Sequence, residues 1–265
     1  MSVAHILAIT SGKGGVGKTM LSANLAAALA RRGEKVLVLD ADLGLANLDV
    51  VLNLHPRTTL HDVFTGKAPL DQAVTDAPGG FQVLLAGSGL IEYSRLTPQV
   101  REQLALLLDT VRPRYDRVLI DTGAGISDIV LYAVSLADEV LVIATPEPTA
   151  LADAYATIKV LAAQQDRTTP MLVVNQTQRP GEGAHVATQL QAVLRRFVQR
   201  PDGTSITLQA LGDIALDPAV RQSVQKRQLL MLAYPGSDAA QDIREIARRL
   251  AEATATAAAG LQSPP

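Results

Sequence analysis

Short apolar runs rich in Val, Leu and Ile recur along the chain at residues 6–9, 35–39, 82–85, 117–120, 139–143, 171–174 and 207–211. They are nearly continuous rather than alternating, which is the pattern of strands covered on both faces. Between most of them lie stretches with apolar positions at helical spacing, at 18–32, 98–111, 127–136, 150–163, 186–198 and 239–254. Strand and helix in alternation predict a single doubly wound α/β domain, its sheet mostly parallel and its helices on both faces. Loops rich in Gly, Pro and polar residues are expected at 76–80, 178–183 and 199–205. One domain is expected over residues 1–254, followed by a frayed tail over 255–265.

Composition narrows the function. With 24 Lys+Arg against 26 Asp+Glu, the chain has no overall positive field to hold nucleic acid by counterion release. Cysteine is absent, which removes disulfides, thiolate nucleophiles, iron–sulfur ligation and Cys-based zinc sites, and fits a reducing cytoplasm. His5, His55, His61 and His185 show no metal-ligand spacing. The first ten residues carry an apolar run without a basic start or a cleavage site, so a buried strand is expected there rather than a signal peptide. No run approaches 18 uninterrupted apolar residues, and no membrane span is expected.

The chemistry concentrates at residues 11–19, SGKGGVGKT, where Gly12, Gly17, Lys18 and Thr19 match G-x-x-x-x-G-K-[ST] between an expected strand and an expected helix. Such a loop turns backbone N–H groups into one concavity around phosphates, and side chains at its glycines would block the approach. The helix start adds its positive end. Gly12, Lys13, Gly14, Gly15, Val16, Gly17, Lys18, Thr19 and Met20 are expected to hold the nucleotide, Lys18 at the β- and γ-phosphates and the Thr19 hydroxyl on magnesium. Magnesium takes oxygen ligands, and acids stand ready at two strand ends. Asp40 and Asp42 alternate at the end of VLVLDAD and can both face the crevice, and Asp121 closes RVLID, where it is expected to hold magnesium through water.

The second lysine of GKGGVGKT, Lys13, resembles the deviant phosphate loop of the MinD/ParA family of P-loop ATPases. That resemblance implies ATP/ADP and Mg2+ as cofactors and an ATP-dependent, face-to-face homodimer in which Lys13 reaches the nucleotide of the partner subunit. It makes Asp42 the residue that orients the attacking water, with Asp40 beside it near the metal, and makes Asn175, at the end of MLVVN, an adenine contact. The segments DADLGLANLDVVLNL, TLHDVFTG, IDTGAGIS and TPEPTALADAYATIKVL are similar to the FlhG/FleN branch, which limits flagellar number.

Flagellar partners follow from that likeness: an FlhF-like GTPase, a flagellar transcription regulator or a switch-complex component. FlhG proteins often act on the GTPase through an N-terminal segment, whereas here the first strand begins almost at once, so the likeness leaves that stimulation open. MinD-like proteins tend to end in a basic amphipathic helix that meets the membrane. Here Ile243, Ile246, Ala247 and Leu250 form an apolar stripe with no Lys or Arg after Arg249, and the helix is expected to dock on the core instead. The family's Ile-Pro near the base appears as Ile214 and Ala215. The implied location is the cytoplasm, with peripheral placement at the membrane or cell pole left open.

Alternative readings are a MinD-type division-site regulator, a non-catalytic adaptor, a metabolic ATPase or a ParA-type DNA-partitioning ATPase. The last needs a basic face, to which Arg195, Arg196, Arg221, Lys226 and Arg227 could contribute.

Overall fold

The computed structural model describes residues 3–42, 47–87, 96–198, 200 and 202–260, the last six by their backbone alone. In chain order the elements are β1 (His5–Ser11), α1 (Lys18–Ala30), β2 (Val36–Ala41), α2 (Leu48–Leu52), α3 (Leu60–Phe64), α4 (Leu70–Ala73), β3 (Val74–Ala77), β4 (Phe81–Leu84), α5 (Pro98–Val111) and a 3-10 turn at Arg112–Arg114. There follow β5 (Arg117–Ala124), α6 (Asp128–Ser135), β6 (Glu139–Ala144), α7 (Pro148–Gln165), β7 (Met171–Thr177), α8 (Glu182–Phe197), β8 (Gln209–Ala215), α9 (Pro218–Gln225), α10 (Leu230–Ala233) and α11 (Asp238–Gly260).

The strands form one sheet in the order β3-β4-β2-β5-β1-β6-β7-β8, parallel except for the β3–β4 pair. Alternation along each strand feeds two apolar layers. Ile6 and Ala8 of β1 face α5, α6, α7 and α8, while Leu7 and Ile9 face α1, α10 and α11. The expected doubly wound α/β fold is what the chain adopts. The Ala-rich α1 is buried around nearly its whole circumference, because α11 packs over it. Ile243, Ile246, Ala247 and Leu250 are at most 1% exposed in that contact, so the α11 stripe is a core face as expected. The charged side of α11 pairs with itself, Arg248 to Glu245 and Glu252, and Arg249 to Glu245.

Several details differ from the sequence reading. Residues 76 and 77, expected in a loop, belong to β3, which turns at 78–80 and pairs antiparallel with β4 at the sheet edge. Four residues reading VTDA, mostly half-exposed, carry no apolar run to detect. The last strand, expected at 207–211, runs from Gln209 to Ala215 and slips register around Gly212. The helices α2, α3, α4 and α10, of four or five residues, are too short for a period to emerge, and α9 was not expected either. Helix α8 starts at Glu182, inside the expected loop 178–183, and α11 continues to Gly260, beyond the boundary expected at 254; residues 261–265 lie outside the described residues. At the open edge of β8, Arg249 Nη1 donates to the Leu211 carbonyl at 3.0 Å.

Candidate functional site

The residues singled out in the sequence meet at the carboxyl ends of β1, β2 and β5, where a cleft of about 600 Å³ opens. Gly14, Gly15, Gly17, Lys18, Thr19 and Met20 line it from the loop side, with Asp42 and Gly123 opposite. Gly15 and Gly17 adopt φ of 80° and 95°, a region nearly closed to residues with a Cβ. A side chain at Gly14 or Gly15 would meet no atom within 4 Å, so both border open space. Gly12 and Gly17 have another reason: a Cβ at Gly12 would collide with the backbone of Asp153 on α7, and one at Gly17 with the amide of Asn175. The loop ends on Gly17, which provides no side-chain cap for α1. The first N–H groups of a 13-residue helix are therefore left to an anion from outside.

Lys18 is buried, and its Nζ donates to Ser11 Oγ at 3.0 Å. Ser11 Oγ in turn donates to the Lys13 carbonyl at 2.7 Å. Burial lowers the Lys18 pKa, against the pull of Asp121 and Asp42. Lys13 is not among the residues lining the cleft. Its ammonium lies at the rim, donating to Glu147 Oε2 at 2.8 Å and to Thr149 Oγ1 at 3.1 Å.

Asp40 and Asp121 are register partners on β2 and β5, and both are buried. Asp121 accepts from Ser22 Oγ at 2.9 Å and also bonds the Thr19 hydroxyl. Burial nevertheless pushes its carboxyl up to about 6, with Thr19, Ser22 and Lys18 opposing. Asp40 is raised well above the carboxylate range, chiefly by burial and next by Asp121. Its Oδ1 accepts the Asp42 N–H at 3.2 Å, while its buried Oδ2 has no hydrogen-bond partner. Two adjoining acids with an orphaned oxygen fit a cation held jointly with phosphate and water, as magnesium is at such sites. Among the described residues no cluster of three or more His, Asp or Glu makes a complete metal cage, so phosphate and water would have to supply the remaining ligands.

Asp42 stands by the backbone of Gly123, where an added Cβ would lie 3.5 Å from its Oδ1. Asn175 is buried behind the loop, its Nδ2 donating to the Val16 carbonyl at 2.7 Å. The structure thus brings Gly14, Gly15, Gly17, Lys18, Thr19, Met20 and Asp42 to one cleft, with Asp40 and Asp121 beneath its floor; Gly12, packed against Asp153, and the buried Val16 do not line it, and Lys13 and Asn175 lie at the rim and the back. Ser11, Ser22, Gly123, Glu147 and Thr149 were not named from the sequence. All five lie in or beside the quoted motifs, and Ser22 follows Lys18 by one helical turn.

The five basic residues considered for DNA do not form one face. Arg195 and Arg196 are on α8, which packs on one side of the sheet. Arg221 is on α9, which packs with the other layer, and Lys226 Nζ is bonded to Tyr234 Oη. Among the described residues no helix is long and apolar enough to cross a membrane.

A Gly-rich loop between a central strand and a buried helix, with Lys18 and Thr19 in one cleft and paired strand-end acids beneath it, defines a P-loop nucleoside triphosphatase. Comparison with known families agrees: residues 2–251 match the ParA model, described as NUBPL iron-transfer P-loop NTPase. The chain belongs to this ParA/MinD family. It is 38% identical over 250 residues to the antiactivator FleN of Pseudomonas aeruginosa, covering 94% of this chain and 87% of that one. To the flagellum site-determining protein YlxH of Helicobacter pylori it is 33% identical over 256 residues, covering 95% and 83%. The septum site-determining protein MinD from Pyrococcus horikoshii, solved as a complex with Mg-ADP, superposes with a TM-score of 0.77 at 26% identity, covering 95% of this chain and 97% of that chain. The resemblance read from the sequence is borne out.

Proposed function

We propose that the protein is a magnesium-dependent ATPase whose nucleotide cycle switches it between monomer and homodimer, and that this switch regulates flagellar number or placement in the manner of the FlhG/FleN branch. The observation that carries the reading is the cleft itself: Lys18 and an uncapped helix start border it, and beneath them two adjoining buried acids leave Asp40 Oδ2 without a partner. In this reading Lys18 meets the β- and γ-phosphates, and Thr19, Asp40 and Asp121 hold magnesium, directly or through water. The ion would neutralise charge on the phosphate oxygens. Asp42, on the open side of the cleft, orients the attacking water. Catalysis then rests on positioning and charge, which suits slow hydrolysis to ADP and phosphate.

Lys13, held only at an exposed rim, is free to leave Glu147 and reach the nucleotide of a partner subunit. The likeness to an antiactivator favours a transcription regulator as the partner, in the cytoplasm. Sedimentation of wild type and Asp42→Ala with magnesium and either ATP or ADP, alongside phosphate release, tests the whole scheme. We expect ATP alone to drive dimers, and Asp42→Ala to keep the dimer while losing hydrolysis. A protein that remains monomeric with ATP, or an Asp42→Ala variant that hydrolyses normally, overturns the corresponding part.

A further inference from the structure

Asn175 lies two residues before the end of β7 at 3% exposure, and both ends of its amide are bound by the chain. Nδ2 donates to the Val16 carbonyl at 2.7 Å, and Oδ1 accepts the Gln176 N–H at 2.9 Å. The backbone is bent to allow this. Gln176 sits at φ 63°, which a non-glycine residue adopts at a cost, and the β7–β8 ladder slips register between Asn175 and Thr177. On the other side of the contact Gly17 has no Cβ, and any side chain there would strike the amide. Loop and strand end are thus fitted to one another at a single hydrogen bond.

That bond has a directional consequence. The peptide between Val16 and Gly17 is trans, so its oxygen and its N–H lie on opposite edges of one plane. Holding the oxygen toward β7 turns the N–H toward the opposite side, where Gly17 borders the cleft. Without a donor at Asn175, the Val16 carbonyl would be buried unpaired, and the plane would be free to rotate toward one.

We propose that Asn175 is a positioning residue for phosphate, acting through the loop: it fixes the Val16–Gly17 peptide so that its N–H faces the anion. The proposal rests on the reading of the cleft as a nucleotide site, and it assigns Asn175 a task independent of the base.

The test compares wild type with Asn175→Leu, which keeps the size and removes both polar ends. Calorimetry measures affinity for ATP and for inorganic tripolyphosphate, and hydrogen exchange follows residues 12–20 in the nucleotide-free protein. We expect both ligands to weaken by a similar factor of about ten, equivalent to about 1.4 kcal/mol, and loop amides to exchange faster while the rest of the chain exchanges as before. If Asn175→Leu melts globally, Asn175→Asp serves instead: it keeps the Gln176 contact and removes the donor, and because its charge also repels both anions, loop exchange in the ligand-free variant is the deciding readout. Loss of ATP affinity alone, with tripolyphosphate binding and loop exchange unchanged, assigns the residue to the base and overturns the proposal. A wild type that binds neither ligand removes the nucleotide reading; unchanged loop exchange in the ligand-free variant removes the positioning role by itself.

Discussion

Lys13 and Glu147 hold one another at the rim of the phosphate loop, Nζ to Oε2 at 2.8 Å, with Thr149 sharing the same ammonium. The side chain is thereby turned to the start of α7, while its own carbonyl is tied through Ser11 to Lys18. One residue is thus bound by backbone to the resident lysine and by side chain to a detachable partner.

The pair is exposed, 40% at Lys13 and 62% at Glu147, and such pairs are worth at most about 1 kcal/mol. Lys13→Ala is therefore expected to unfold in urea within about 1 kcal/mol of wild type, yet to stay monomeric with ATP in sedimentation. A variant that dimerises normally would show that Lys13 has no role across the interface.

The buried acids make stability depend on pH in the nucleotide-free protein. Asp121 titrates at about 6 in the fold against an ordinary 3.8, so the fold prefers its protonated form. The stabilisation is fully present below about pH 4 and is lost as pH rises through 6, amounting to about 3 kcal/mol. Asp40, raised in the same direction, adds to it. Urea unfolding from pH 4 to 7 is expected to show this decline, and Asp121→Asn to flatten it. An equal slope in the variant would assign the effect elsewhere.

Two glycines of the loop separate folding from binding. Gly12→Ala forces a Cβ into the Asp153 backbone and is expected to cost about 1–3 kcal/mol, as overpacking does. Gly14→Ala meets open space, so its melting temperature should match wild type while ATP affinity falls because the cleft is narrowed. Thermal denaturation and nucleotide titration of both variants decide the matter, and loss of stability in Gly14→Ala alone would reverse the assignment.

On α11, Leu250 is fully buried against the layer that contains α1. Leu250→Ala should cost about 2–5 kcal/mol by leaving a cavity. Its affinity for vesicles of anionic lipid should equal that of wild type. A variant that keeps its stability but loses vesicle binding would place the stripe in lipid.

The fold was legible because buried parallel strands write themselves as continuous Val/Leu/Ile runs, as in VLVLD and RVLID, and the phosphate loop because its spacing is forced by backbone geometry. The β3–β4 hairpin was not, since VTDA has neither an apolar run nor alternation. Gly12 was attributed to phosphate approach, whereas the structure shows it yielding to α7, a long-range contact without local trace. Asn175 illustrates the same limit: that its amide would turn back on Val16 depends on Gln176 taking a left-handed φ, which no spacing rule announces.

The two borders of the sheet bear on how copies of the chain can meet. One ends in the four-residue β3, turned antiparallel to its neighbour; the other, β8, is kinked at Gly212 and has the Leu211 carbonyl occupied by Arg249. Neither offers a long straight ladder for a further strand to extend. Edge-to-edge stacking into fibrils is discouraged from both flanks.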